Sequence, residues 1–134
     1  MQTRERSGQR TVLLLGKRNR KVQDLERLLT EQSWRVHLAS NAEDALGLIR
    51  NADFDIILVG DAMAYVMRGG FFKALRTLCP DAKLMCLADE ITEEMEMVMR
   101  SGGLVFLGSY RQFEEFHQEI LQSALRSRKG AINA

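Results

Sequence analysis

One proline and two cysteines in 134 residues leave this chain few staples and few forced breaks. Two cysteines, Cys79 and Cys86, are too few for a disulfide framework and have no metal-ligand spacing. His37 and His117 stand apart from any Cys or acidic ligand pattern, so no metal or other cofactor is expected. Charge of one sign is also lacking: 19 basic side chains against 18 acidic ones give a net charge of +1. That balance supplies no field for nucleic acid or for an anionic membrane. No apolar run reaches the roughly 20 residues that span a bilayer. The opening residues, MQTRERSGQR, have no apolar centre of the kind an export signal needs. Reduced thiols in a cytoplasmic protein are the expectation. Neither G-x-G-x-x-G nor G-x-x-x-x-G-K-[ST] occurs, which removes the common phosphate-cradling loops.

What is present is a rhythm. Apolar runs at Thr11–Leu15, Asp55–Val59, Leu84–Leu87 and Leu104–Leu107, together with the alternating Trp34–Leu38, read as five strands separated by helical stretches. Runs that are apolar throughout suit strands covered on both faces, and the alternating second one suits an edge. A single α/β domain over residues 11–126 follows, with a doubly wound parallel sheet in the order 2-1-3-4-5. Residues 1–10 form a flexible polar head and residues 127–134 a flexible tail or linker.

Helical stripes fall between the strands: Val22, Leu25, Leu28 and Leu29; Ala42, Ala45, Leu46 and Ile49; Phe71, Ala74, Leu75 and Leu78. A fourth predicted helix over Thr92–Ser101 buries Met95, Val98 and Met99 and leaves Met97 off the stripe. The last, over Arg111–Arg126, buries Phe113, Phe116, Ile120 and Ala124. Ser40 with Glu43 and Ser109 with Gln112 read as capping boxes.

The strand ends are chemically bare. In open α/β sheets, ligands and reactive groups collect at the carboxyl ends of the strands. Here those ends run into Gly16-Lys17, Gly60, Ala88 and Gly108-Ser109.

Five strand–helix units in this length resemble the receiver domain of bacterial two-component response regulators, a (βα)5 domain of the flavodoxin-like kind. The resemblance rests on Ala39-Ser40-Asn41-Ala42-Glu43-Asp44-Ala45-Leu46, on Phe54-Asp55-Ile56-Ile57-Leu58-Val59, on Pro80-Asp81-Ala82-Lys83 and on Ser101-Gly102-Gly103. It implies where a phosphorylation site would lie. The family's acidic pair falls on Gly16 and Lys17, its aspartate acceptor on Gly60 and its hydroxyl on Ala88. Its lysine and proline fall on Ser109 and Tyr110, and the proline after the acceptor strand on Ala64. None of the chemistry-bearing types is kept, so the resemblance is to a degenerate pseudo-receiver, with Phe106 at the switch-aromatic position. Mg²⁺ would find no carboxylates there and a lysine instead.

Asp61 lies one residue past the acceptor position. A strand's side-chain period of two turns that carboxylate elsewhere, which makes it a solvated loop aspartate near Lys17. A noncanonical phosphoacceptor at Asp61 is the alternative from the enzyme class. The basic run Lys17, Arg18, Arg20 and Lys21 reads as a solvated loop; its alternative is an anion or small-ligand sensor at the vacant crevice. The expected function is a phosphorylation-independent, non-enzymatic signalling module that binds a protein partner or itself. By resemblance its contact face is the fourth helix, fifth strand and fifth helix, through Met97, Phe106, Tyr110, Arg111 and Glu115. A fused effector domain beyond the carboxyl terminus is a further expectation.

Overall fold

The computed structural model describes residues 9–60, 70–93, 96–97 and 104–126. Its centre is a parallel sheet of five strands: β1 (Thr11–Leu15), β2 (Arg35–Ala39), β3 (Ile56–Gly60), β4 (Lys83–Leu87) and β5 (Leu104–Gly108). The order is β2-β1-β3-β4-β5, as the hydrophobic patterning predicts. Strand limits agree with the sequence reading to within one residue. Four helices complete the described elements: α1 (Arg20–Glu31), α2 (Ala42–Asn51), α3 (Gly70–Leu78) and the last helix, α4 (Tyr110–Arg126).

Alternation along each strand divides the core between two faces. Leu13, Leu15, Ile57, Val59, Leu84 and Cys86 face α2 and α3, where they meet Ala45, Ile49, Phe71 and Leu75. Val12, Leu14, Ile56, Leu58, Met85 and Leu87 face the other way, toward Val22, Leu25 and Leu29 of α1 and Phe113, Leu121 and Ala124 of α4. Both faces of the three central strands are therefore covered, and their residues are apolar throughout for that reason. On the edge strand β2, His37 packs edge-on against Phe54, with ring centroids 5.4 Å apart.

Side-chain and backbone caps set the helix limits. Asn19 accepts from the Val22 amide at 2.9 Å to start α1. Past its C-cap Gln32 the chain turns at Ser33, whose φ of 71° is left-handed. The Trp34 amide then reaches back to the Leu29 carbonyl at 3.0 Å, closing a Schellman turn that delivers Trp34 to the core. For α2 the expected Ser40 box is replaced by Asn41, which accepts from the Asp44 amide at 2.8 Å. The helix starts one residue later than Ser40 would allow, and an asparagine oxygen caps as well as a serine oxygen. The Ser109 box forms as expected: Ser109 Oγ accepts from the Gln112 amide and Gln112 Oε1 from the Ser109 amide, both at 3.0 Å.

Two stripe residues depart from expectation. Leu78, in the last turn of α3, is 40 % exposed. Phe116 is 51 % exposed, because its backbone (φ −121°, ψ 24°) breaks the helical run of α4. The His117 Nδ1 lies 3.2 Å from the Glu114 carbonyl at that point, a side chain competing for the helix's own acceptor. Leu121 and Tyr110 take the buried places instead. β5 carries a register shift opposite Leu84/Met85, so both Val105 and Phe106 turn toward the α1–α4 face.

Of the predicted fourth helix, Glu93, Glu96 and Met97 are helical, with the Glu96 amide bonded to the Thr92 carbonyl at 3.0 Å. Met95, Val98, Met99, Gly102 and Gly103 lie outside the described residues, as do Asp61, Ala64 and the two termini, 1–8 and 127–134.

Candidate functional site at the carboxyl ends of the strands

The topology gathers Gly16, Gly60, Ala88 and Ser109 at one edge of the sheet, as the sequence implies. β1 and β3 close on each other there. A side-chain carbon at Gly16 would sit 3.3 Å from Val22 Cγ2 and 3.7 Å from Gly60 Cα. The Gly16 amide extends the ladder by donating to the Ala39 carbonyl at 3.0 Å. Ala88 is buried, and its amide donates to the Gly108 carbonyl at 2.9 Å.

Beside Gly60, a side chain reaches into the crevice. A carbon added at Gly60 would stand 2.8 Å from the Tyr110 Oη, closer than a carbon of that kind approaches a neighbour. Tyr110 begins α4 and is only 7 % exposed. Its hydroxyl lies where residue 60 would project a side chain. Expecting Tyr110 on an interaction surface is thus corrected: the capping box aims the first helical residue inward, over the end of β3. Above its ring, at 4.9 Å from the centroid, lies the Lys21 Nζ. Lys21 also pairs with Asp89, just past β4. Each partner of that pair is about half exposed, so its direct worth to stability is on the order of 1 kcal/mol or less.

A similar close fit recurs at β5. A carbon at Gly108 would lie 2.6 Å from Phe106 Cζ and 2.7 Å from Gln112 Oε1. Phe106, half-buried, folds along its own strand over this glycine. Ser109, at the family's lysine position, has its oxygen committed to the helix cap. Lys17, Arg18 and Arg20 are exposed; Lys21 alone of the basic run turns onto the site.

Sequence reasoning put Gly16, Gly60, Ala88 and Ser109 at the strand ends and did not foresee Tyr110 beside Gly60. A bulky residue just after β5 opposite a glycine ending β3 is a size exchange, and that was the available signal. Among the described residues no group of three or more His, Cys, Asp or Glu side chains is placed to hold a metal ion. No described helix is long and apolar enough to cross a membrane.

Two clefts lie at the opposite, amino-terminal ends of the strands, lined by described residues. Arg10, Asp55, Leu78, Cys79 and Lys83 border a cleft of about 360 Å³. A second, of about 410 Å³, lies between Trp34 and His117, Leu121 and Leu125 of α4. In the first, Asp55 accepts from the Thr11 amide at 2.9 Å and stands 4.0 Å from Arg10. Arg76 donates to the Ala82 carbonyl at 2.9 Å. Burial lowers the Arg76 pKa, against the influence of nearby Cys79. Burial also pushes the Cys79 thiol up; Arg76 opposes that and Asp53 adds to it.

No family model and no curated protein matches the sequence. Solved structures do match. A signal receiver domain of an HD domain-containing protein from Pseudomonas fluorescens Pf-5 superposes with a TM-score of 0.75 at 19 % identity, over 87 % of this chain and 94 % of that one. The fold is that of response-regulator receiver domains. A chemotaxis protein of Vibrio cholerae gives 0.72 at 20 % identity, over 88 % and 100 % of the two chains. An orphan response regulator of H. pylori gives 0.72 at 20 %, over 89 % and 98 %. The receiver-like order of strands and helices is shared.

Proposed function

We propose that this chain is a cytoplasmic, non-enzymatic signalling module that uses the receiver fold without phosphorylation of an aspartate. One observation carries the reading. Position 60, which the resemblance matches to the receiver family's acceptor aspartate, is a buried glycine, and a carbon added there would stand 2.8 Å from the Tyr110 hydroxyl. A site of this kind needs carboxylates to hold a cation and a carboxylate to accept the phosphoryl group. Gly16, Lys17, Gly60, Ala88 and Ser109 supply neither.

Output then comes from contact with a protein partner or a second copy. On the contact face expected by resemblance, the described residues of the segment after β4, of β5 and of α4 include both apolar and charged side chains. Met97 is 70 % exposed, Phe106 is half-buried, and Arg111 and Glu115 are exposed. Such a mixture suits a protein contact with a polar rim. An effector fused beyond the carboxyl terminus belongs to the same reading.

The test is incubation with Mg²⁺ and a small acyl-phosphate donor, read by intact mass. The expected result is no gain. A Mg²⁺-dependent gain abolished by Asp61→Asn would overturn the reading and make Asp61 the acceptor.

A further inference from the structure

We infer that Tyr110 is a built-in ligand of the strand-end site, holding the end of β3, the first turn of α1 and the start of α4 in one arrangement that no external ion or phosphoryl group sets. The inference deepens the phosphorylation-independent reading and rests on it. Tyr110 has a defined approach, because the Ser109–Gln112 box fixes the helix start immediately before it. Its hydroxyl points at residue 60. Its ring offers Lys21 a π face, and Lys21 carries the connection on to Asp89 beyond β4. Tyrosine fits this position on both counts, since its apolar body joins the core cluster of Val22, Leu58, Leu87 and Phe113 while its polar tip reaches the bare strand end.

Gly60 and Tyr110 form a size-matched pair. The glycine admits the hydroxyl, and any side chain at 60 has to displace it. Loss of the acceptor and gain of the tyrosine are thus one structural change distributed over two positions. The site is held by a residue tethered to the chain, so no external ligand is needed to set the orientation of α4 relative to β3.

The experiment is a mutant cycle on the full chain, read by denaturant unfolding, with Gly60→Ala, Tyr110→Phe and the double variant. Gly60→Ala is expected to lower the folding equilibrium constant about tenfold or more, within the range of coupling seen for touching residues. In the Tyr110→Phe background, where the hydroxyl is gone, the same substitution is expected to cost less than about threefold. Equal penalties in both backgrounds would overturn the inference. Amide exchange supplies an independent readout should Gly60→Ala fail to fold. Tyr110→Ala is expected to lose protection at the first turn of α1 and around Ala88, as well as at the start of α4. Loss confined to α4 would overturn the inference. Neither readout involves a phosphodonor. A plug that fails can leave the chain unphosphorylated, and a mass gain at Asp61 can leave the coupling intact, so the two failures are distinct.

Discussion

The two ends of this sheet differ in what their described residues supply. At the carboxyl ends, where open α/β proteins concentrate ligands, the described residues are glycine, alanine and a capping serine, with Tyr110 inserted among them. At the amino ends, connections usually serve only to join strands and helices. Here they carry Asp55 facing Arg10, Arg76 holding the Ala82 carbonyl, and two clefts of about 360 and 410 Å³. The difference teaches how this sheet packs around strand ends that carry no reactive side chains among the described residues. Parallel strands still converge, and the space left by missing functional groups is refilled by packing. Carboxylates elsewhere are spent on backbone amides, as Asp55 is on Thr11.

A single helix spans both ends, and truncating it at each end measures the difference. Phe113, one turn after Tyr110, is fully buried against Leu14, Leu58 and Met85. Phe113→Ala is expected to cost about 3–5 kcal/mol, the range for emptying an aromatic site in a core. Leu125, at the other end of α4, is half-buried beside both clefts, so Leu125→Ala should cost nearer about 1 kcal/mol. Denaturant unfolding of both variants checks the order. Equal losses would show that α4 docks uniformly and would erase the contrast between the ends.

Most of the fold was legible in the residues alone, for a physical reason: burial on both faces forces continuous apolarity in β1, β3 and β4, and exposure forces alternation in β2. The edge place of β2 followed from that contrast and fits the observed order. The capping box at Ser109 was legible because its two partners are three residues apart. Less legible was anything set by distant contacts. Phe116 satisfies the helical spacing, yet a break in the helix at that residue turns it outward. Tyr110 sits between Ser109 and Arg111 in sequence and beside Gly60 only in space. The site could be recognised as chemically bare from its strand-end positions; that it is filled depends on a hydroxyl brought from a distant part of the chain.

Helix starts provide a finer comparison, since α4 opens at the plugged end and α2 starts shortly after β2. Ser109→Ala removes the oxygen that satisfies the Gln112 amide and is expected to cost about 1 kcal/mol. Asn41→Ala should cost a similar amount, about 1 kcal/mol, while Ser40→Ala, one residue outside the cap, should stay within about 0.5 kcal/mol. Thermal or denaturant midpoints of the three variants decide it. If Ser40→Ala matched Asn41→Ala, the serine would be the working cap. Loss of the Ser109 cap should also loosen Tyr110, so this variant is expected to weaken the Gly60–Tyr110 coupling, whereas Asn41→Ala leaves it alone.

The smallest effect belongs to the amino end and needs alkaline pH to be seen. Burial raises the Cys79 thiol above its ordinary 9.0, more than the Arg76 guanidinium lowers it, with Asp53 adding to the rise. An unfolded chain therefore loses the Cys79 proton at lower pH than the folded one. Between those two values the unfolded state binds fewer protons, so the unfolding free energy falls as pH rises. Stability from this thiol is complete below about pH 9 and declines above it. Denaturant midpoints at pH 7.5 and pH 10 should fall further for the native chain than for Cys79→Ala, with the lysines and tyrosines common to both cancelling in the comparison. Equal declines would mean that the thiol is as well solvated in the fold as out of it. The amino-end cleft would then be open to water at Cys79, and the contrast with the packed carboxyl end would be sharper still.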